Sequence, residues 1–360
     1  MAMGLPIIIL AVLAFSINTA VANVVCQLSA QSGLKLNGSC SVGGGPASQL
    51  SGPGTGLLTD EVAGVAIRWT IASNGISTLF ECSSKADILI ITSSTYSNQT
   101  LTNCDAPLIE LRGCSDASVQ DSTFTNITRS AEQPLACTAS EYGAGVVITG
   151  TSSQSDDWSV TILRNTFTNV YCSSSEGSRL GGALALEKED SVGAMRAIVG
   201  GSTFTNTSCD FGGAIQSTYA SLTVRDSTFT KTSAEDGGAI QFISGNQAGD
   251  IQMLRVDYST FTTVSAIQNG GAVAAYQGDV TIVDSTFTTG DALHGECVWL
   301  AECGSYVASQ IRDNTWTRCS PVFTTWCKPQ FGNVWSSCGM AGPDKCYNSP
   351  PSPPARRSRK

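Results

Sequence analysis

Beyond its first 25 residues the chain alternates apolar and polar residues in short runs, such as Leu222–Asp226 (LTVRD) and Val280–Asp284 (VTIVD). Period two over so few residues predicts half-buried strands, and no stretch carries a convincing helical stripe. The strands recur around one phrase, a threonine pair flanking an aromatic. It reads DSTFTN from Asp121, RNTFTN from Arg164, GSTFTN from Gly201, DSTFTK from Asp226, YSTFTT from Tyr258, DSTFTT from Asp284 and DNTWTR from Asp313. Five places before each aromatic stands an aliphatic residue: Val119, Ile162, Val199, Val224, Val256, Ile282 and Ile311. A second phrase, GGA plus an aliphatic, recurs at Gly181–Leu184, Gly212–Ile215, Gly237–Ile240 and Gly270–Val273.

The aromatics Phe124, Phe167, Phe204, Phe229, Phe261, Phe287 and Trp316 are 43, 37, 25, 32, 26 and 29 residues apart. The basic unit is therefore near the shortest spacing, with the excess inserted as loops, and periods in this range belong to solenoids or propellers. A propeller blade needs four strands and a leucine-rich repeat needs a helical element, so three short strands per turn predict an all-β, right-handed, single-stranded parallel β-helix of roughly eight to ten coils. In such a stack the aromatics, the aliphatics before them and the GGA aliphatics form three interior columns. The double glycine suits a tight corner that needs positive φ or close approach between coils. The expected organisation is a signal segment over 1–22, an N-terminal cap over 23–62, repeats over 63–321, a cysteine-rich cap over 322–346 and a disordered Pro-rich basic tail over 347–360. The earliest coils, around Ile67 to Leu111, lack both phrases and are inferred from strand-like runs such as ADILIITSS.

A threonine–aromatic phrase ending in Asn, alternating with GGA and an aliphatic, resembles the repeats of the polymorphic outer-membrane protein family and related right-handed β-helix surface proteins. The likeness covers roughly Ala117 to Pro321 and is to a repeat, with no catalytic motif in it. It implies a secreted or surface-displayed adhesin or matrix protein. The chain departs from that family in showing no C-terminal run of alternating strands with aromatic girdles, which a membrane barrel requires.

Composition narrows the setting. Of the 360 residues 14% are charged and the formal net charge is −9, which argues against sequence-independent nucleic-acid binding. An apolar core from Leu5 to Phe15 followed by Ala20, Val21 and Ala22 reads as a secretory signal cleaved before Asn23, with retention as an anchor the rival reading. The 14 cysteines suit an oxidising destination. Six of them, Cys297, Cys303, Cys319, Cys327, Cys338 and Cys346, are expected to staple the C-terminal coils and a cap, and Cys26 with Cys40 could close a loop in the N-terminal cap. With no C-x-x-C pair and only His294, neither a metal nor a cofactor is expected. The tail SPPSPPARRSRK is extended in expectation and resembles the SPP segments of algal wall glycoproteins.

Sequons stand at Asn37, Asn98, Asn126 and Asn206. Asn37 and Asn98 are the candidate glycosylation sites in a eukaryotic host. Asn126 and Asn206 share with Asn169 the place two after the aromatic, where an inward-facing asparagine ladder bonding successive turn backbones is expected to hold them from a glycan.

Catalysis in a β-helix that acts on acidic polysaccharides needs clustered carboxylates on adjacent coils. Three places before the aromatic stand Asp121, Arg164, Gly201, Asp226, Tyr258, Asp284 and Asp313, so only Asp284 and Asp313 are neighbouring carboxylates, with Asp257 and Asp291 nearby. Turn capping accounts for them. His294, in ALHGEC, resembles the histidine phrase of polygalacturonases but lacks its first glycine and the accompanying paired aspartates. No catalytic residue is assigned.

The surface to weigh is the threonine pairs. Alternation turns Thr123 with Thr125, Thr166 with Thr168, Thr203 with Thr205, Thr228 with Thr230, Thr260 with Thr262, Thr286 with Thr288 and Thr315 with Thr317 outward, giving two parallel files. Such a grid resembles those of β-solenoid ice-binding proteins, although threonine is also simply favoured on exposed strands. The expectation is a secreted or cell-surface, non-catalytic protein that binds an extracellular polysaccharide or surface protein, without nucleic acid and without a membrane span after signal cleavage. The alternatives are a polysaccharide lyase or hydrolase of the pectin-degrading type and an ice-binding protein.

Overall fold

In a computed structural model, residues 23–31, 35–42, 47–52, 56–60, 65–72, 75–82, 88–101, 107–114, 116–130, 145–150, 157–173, 181–188, 194–245, 252–301, 310–319, 321–323 and 330–337 are described. They form strands joined by turns, stacked as a parallel β-helix in which each coil lies on the one before. The signal segment, the basic tail and most of the proposed C-terminal cap, with Cys303, Cys327, Cys338 and Cys346, lie outside the described residues.

Three ladders of parallel strands wrap one core. The aliphatic ladder runs Ile88–Thr92, Asp116–Gln120, Trp158–Leu163, Met195–Gly200, Ser221–Arg225, Met253–Asp257, Asp279–Val283 and the first half of Gln310–Thr317. The threonine ladder runs Thr95–Leu101, Thr123–Ser130, Thr166–Ser173, Thr203–Ser208, Thr228–Thr230, Thr260–Asn269, Thr286–Asp291 and the second half of Gln310–Thr317. Passing through both, Gln310–Thr317 joins these ladders into one sheet, which Gln330–Ser337 extends. The GGA ladder is a separate sheet: Gly75–Cys82, Ile109–Arg112, Val146–Gly150, Leu184–Lys188, Ile215–Thr218, Ile240–Ile243, Val273–Tyr276, Val298–Ala301 and Pro321–Phe323.

The parallel stack begins later than residue 63. Gly56–Asp60, Val65–Ala72 and Gly75–Cys82 pair antiparallel, as do Asn23–Gln31, Lys35–Val42 and Ser48–Gly52. Only two positions separate Ala72 from Gly75, and so short a link closes a hairpin, whereas parallel neighbours need a long crossover. Ile67 therefore sits in a hairpin and not in a coil. Asn23–Gln31 and Gly75–Cys82 then serve as the platform on which the first full coil lies parallel.

Inside, the columns expected from the repeats form and run further than the phrases do: Tyr96 joins the aromatics, Ile91 the aliphatics, and Ile109, Val146 and Val298 the GGA aliphatics. The rings of Tyr96, Phe124, Phe167, Phe204, Phe229, Phe261, Phe287 and Trp316 are fully buried. Along the column, centroid distances are 5.6, 4.7, 5.0, 4.8, 4.7, 4.7 and 4.3 Å, with planes within 9° of parallel. The parallel-strand spacing of about 4.8 Å sets that distance, since rings carried at one register position must repeat with the backbone. Tyr96 belongs to a coil whose phrase, STYSN from Ser94, is the repeat with two conservative exchanges.

A polar column accompanies the aromatic one. The residue two before each ring is a buried Ser or Asn, and its side chain accepts the backbone N–H of its counterpart one coil earlier. Ser122 Oγ takes Ser94 N–H at 3.1 Å, Asn165 Oδ1 takes Ser122 N–H at 2.9 Å, and Ser202 Oγ takes Asn165 N–H at 3.2 Å. Ser227, Ser259, Ser285 and Asn314 continue the series to the last coil. These bonds satisfy amides that the corner would otherwise leave buried and unpaired.

The corners share one conformation. The residue before this Ser or Asn is left-handed throughout: Ser93, Asp121, Arg164, Gly201, Asp226, Tyr258, Asp284 and Asp313 have φ between 49° and 59°. Turning into the GGA ladder, Gly237 has φ +62° and a Cβ on Gly238 would lie 2.1 Å from Gly271 O and 2.2 Å from Ser265 O. The double glycine thus meets two requirements, a left-handed turn and backbone contact between coils.

Four disulfides are described: Cys26–Cys40, Cys82–Cys114, Cys172–Cys209 and Cys297–Cys319. The first closes the N-terminal hairpin and the last staples C-terminal coils. Cys172–Cys209 cross-links two middle coils, a use that end-capping did not foresee. The bonds place the folded chain in an oxidising environment.

Two substitutions test this account. Phe229→Ala should destabilise the helix by about 3–5 kcal/mol, because the stacked neighbours cannot collapse into the gap. Ser259→Ala should cost about 1–3 kcal/mol by orphaning Ser227 N–H. Denaturant unfolding of the purified variants measures both, and a neutral Ser259→Ala would show that the serine column does not stabilise the stack.

Candidate functional site

The threonines expected to face outward do so in register. Thr123, Thr166, Thr203, Thr228, Thr260, Thr286 and Thr315 form one file, and Thr125, Thr168, Thr205, Thr230, Thr262, Thr288 and Thr317 the other, with a buried ring between each pair. All are exposed or half-buried. Thr95 and Ser97 extend the files at one end, and at the other Val334 stands in register with Thr315. Neighbours lie about 4.8 Å apart between coils and about 6.6 Å apart along a strand, so the face is a grid of hydroxyls and methyls.

Left-handed corners border it on both sides. On the near side Arg164 Nε and Nη2 grip Asp121 at 2.7 and 2.8 Å, and that hydrogen bond, with the guanidinium's charge, holds the Asp121 carboxyl below its ordinary range. Asp284 and Asp313 lie on this edge as exposed left-handed corner residues, Asp313 paired with Arg312 at 2.6 Å. Asp257 is buried beside Arg255, to which it is bonded, while Asp291 is exposed on the threonine strand.

On the far side an asparagine ladder forms, but it does not face inward. Asn98, Asn126, Asn169 and Asn206 are left-handed corner residues, φ 53° to 55°, and exposed or half-exposed. Each bonds its neighbour: Asn126 Nδ2 to Asn98 Oδ1, Asn169 Nδ2 to Asn126 Oδ1 and Asn206 Nδ2 to Asn169 Oδ1, all at 2.8 Å. The expected position reversed because a residue in left-handed conformation interrupts strand alternation, and Asn tolerates that conformation. The ladder has a direction, so the Asn98 amide nitrogen is bonded to no described residue, whereas those of Asn126 and Asn206 are occupied. Asn37 is exposed on the N-terminal hairpin. Lys231, Thr263, Thr289 and Arg318 continue this edge, also left-handed.

A cluster that the repeat phrases did not signal lies where the threonine strands turn into the GGA ladder. Ser233 and Ala234 pair with Ser265 and Ala266, but Asp236 pairs with Asn269, so the longer strand bulges by one residue. Buried Asp236 accepts from Asn269 N at 3.0 Å, Asn269 Nδ2 at 2.8 Å and the Tyr276 hydroxyl at 2.9 Å. The Tyr276 ring packs edge-on against Trp299, centroids 4.8 Å apart. Exposed His294 bridges to Asn269 on the preceding coil. Phrase matching passes over these residues because they lie just outside the phrases and differ from coil to coil. Among the described residues no group of three or more His, Cys, Asp or Glu is placed to hold a metal ion.

Fold and faces define a disulfide-bonded parallel β-solenoid that presents regular ladders of small polar side chains. Comparison with protein-family models, curated proteins and solved structures gave no match to this chain.

Two measurements address these surfaces. In protein secreted from a eukaryotic host, glycopeptide mapping should find glycans on Asn37 and Asn98 and none on Asn126 or Asn206; full occupancy at Asn126 would mean the amide ladder does not form. Burial, then the hydrogen bond to Asp236, raises the Tyr276 phenol above the usual tyrosine range. A raised folded value means that its stabilisation is complete below the unfolded pKa of about 10 and is lost as pH climbs through the folded value. Tyrosinate absorbance of the native protein and of Tyr276→Phe should therefore coincide up to about pH 10 and part only above it. An earlier divergence would refute the buried Tyr276–Asp236 bond.

Proposed function

We propose that this is a secreted or cell-surface, non-catalytic β-helix protein that binds an extracellular polysaccharide or surface protein through its extended repeat face, in adhesion or matrix and wall assembly. The observation that carries this reading is the unbroken register of the threonine face. One chemistry repeats coil after coil, which suits a long repetitive partner engaged by many weak contacts better than a small molecule held in a pocket. The disulfides support an extracellular setting. The repeat's resemblance to the polymorphic outer-membrane protein family points the same way. The loops inserted around Arg129 to Tyr142 and Ser173 to Arg179 lie, apart from their strand ends, outside the described residues.

A second reading draws on the same grid. Two straight files of threonines at the strand repeat suit ice binding, in which ordered hydroxyls and methyls match a lattice of water.

A glycan array probed with the mature protein from Asn23 onward, each bound species then assayed for cleavage, tests the first reading. Binding without product is expected, and turnover of an acidic glycan would replace it with the lyase or hydrolase reading. Single exchanges such as Thr228→Ser should leave adhesion nearly unchanged, because the contacts are many. For ice binding the contrasting expectation is thermal hysteresis abolished by Thr228→Tyr in a protein that still melts as wild type.

A further inference from the structure

The bulged corner of the middle coils has features that packing alone does not require. Ile240 and Phe242 point into the core, so Gln241 faces outward, as do Ala274 and Trp299, which continue its column on the next two coils. Tyr276 lies on the same outer face two residues along from Ala274. Small Ala274 therefore stands between Gln241 and Trp299, with the Tyr276 ring beside it. Gln241 is 3% exposed, yet its Oε1 accepts no hydrogen bond, and neither does that of Gln216 one coil earlier. A buried acceptor without a donor is destabilising, and a donor supplied from outside would satisfy it.

Asn269 Nδ2 and the Tyr276 hydroxyl are already spent on Asp236, and Gln268 Nε2 donates to Glu235, so the unmet polar atom is the Gln241 carbonyl, an acceptor beside the carboxylates of Asp236 and Glu235. Segments 208–216, 233–245, 265–278 and 290–301, which build the corner, contain no Lys or Arg. A carboxylated or sulfated ligand would meet like charge and no cation. A ligand offering hydroxyl donors on one edge and C–H surface to two angled aromatic rings fits both halves of the site.

We propose that the corner formed by Gln241, Asp236, Tyr276 and Trp299 is a binding subsite for an uncharged glycan. This deepens the polysaccharide reading given above and rests on it. The bulge serves the subsite by re-aiming Asn269 to hold Asp236 against Tyr276, and it leaves Ile267 74% exposed on the bulged strand.

Affinity electrophoresis of the full chain tests the assignment. Hydroxyethyl cellulose, glucomannan and galactan serve as uncharged probes, and carboxymethyl cellulose and polygalacturonate as acidic ones. At least one uncharged polymer should retard the protein about tenfold more strongly than either acidic polymer, and Trp299→Ala should weaken that retardation about tenfold, with Trp299→Phe intermediate. Ile198→Ser, on the outer side of the aliphatic ladder, should leave it unchanged, and melting curves check that each variant is folded. Equal or stronger retardation by the acidic polymers overturns the assignment. Retardation that survives Trp299→Ala in a folded protein also overturns it while leaving the extended-face reading in place. No retardation by any polysaccharide removes both the subsite and the polysaccharide reading.

Discussion

Parallel pairing of each coil with the next is the constraint on which everything else here depends. It carries every side chain to its own counterpart at about the strand spacing, so the chain cannot choose a residue at one position independently of the coils above and below. An aromatic inside demands an aromatic inside, and the rings stack nearly plane to plane at 4.3 to 5.6 Å because the backbone repeats at that distance. The same rule turns isolated polar residues into ladders. Ser227 Oγ serves a backbone amide of the coil before it, and its own amide is served by Ser259.

Corners are where this rule is hardest to satisfy. A strand that turns sharply loses ladder hydrogen bonds, and each turn needs a residue with positive φ. Glycine meets that need where coils also touch backbone to backbone, as at Gly237 and Gly238. Asp and Asn meet it where the side chain is free to stand in solvent. Arg164 and Tyr258 take the same conformation without glycine's freedom, and for Arg164 the bidentate grip on Asp121 of the neighbouring coil offsets part of the strain.

Regularity and irregularity then divide the surface. The threonine face keeps its register from coil to coil, and a surface of that kind offers length and repetition. The GGA corner is irregular. One inserted residue in Thr260–Asn269 breaks the register, and Asp236, Asn269, Tyr276 and Trp299, none of which repeats from coil to coil, gather there. A repeat protein gains a local site by such a departure, since identical coils can present only identical chemistry.

The phrases in the sequence determined the stack, its three interior columns and the outward threonines, because period-two alternation and a recurring phrase depend only on local backbone geometry and on like meeting like. They also held the serine column and the first coil, visible as STFT and its variant STYSN, although neither is distinguishable from ordinary strand propensity until the coils are superposed. Three things were decided only by tertiary structure. The antiparallel hairpins of the N-terminal region contain no repeat to count. The asparagine ladder lies on the surface because a left-handed corner resets which way the side chain points. The Asp236–Tyr276–Trp299 corner joins residues from three successive coils, and its geometry hangs on a one-residue bulge, which no local pattern encodes since a bulge exists only relative to the strand it fails to match.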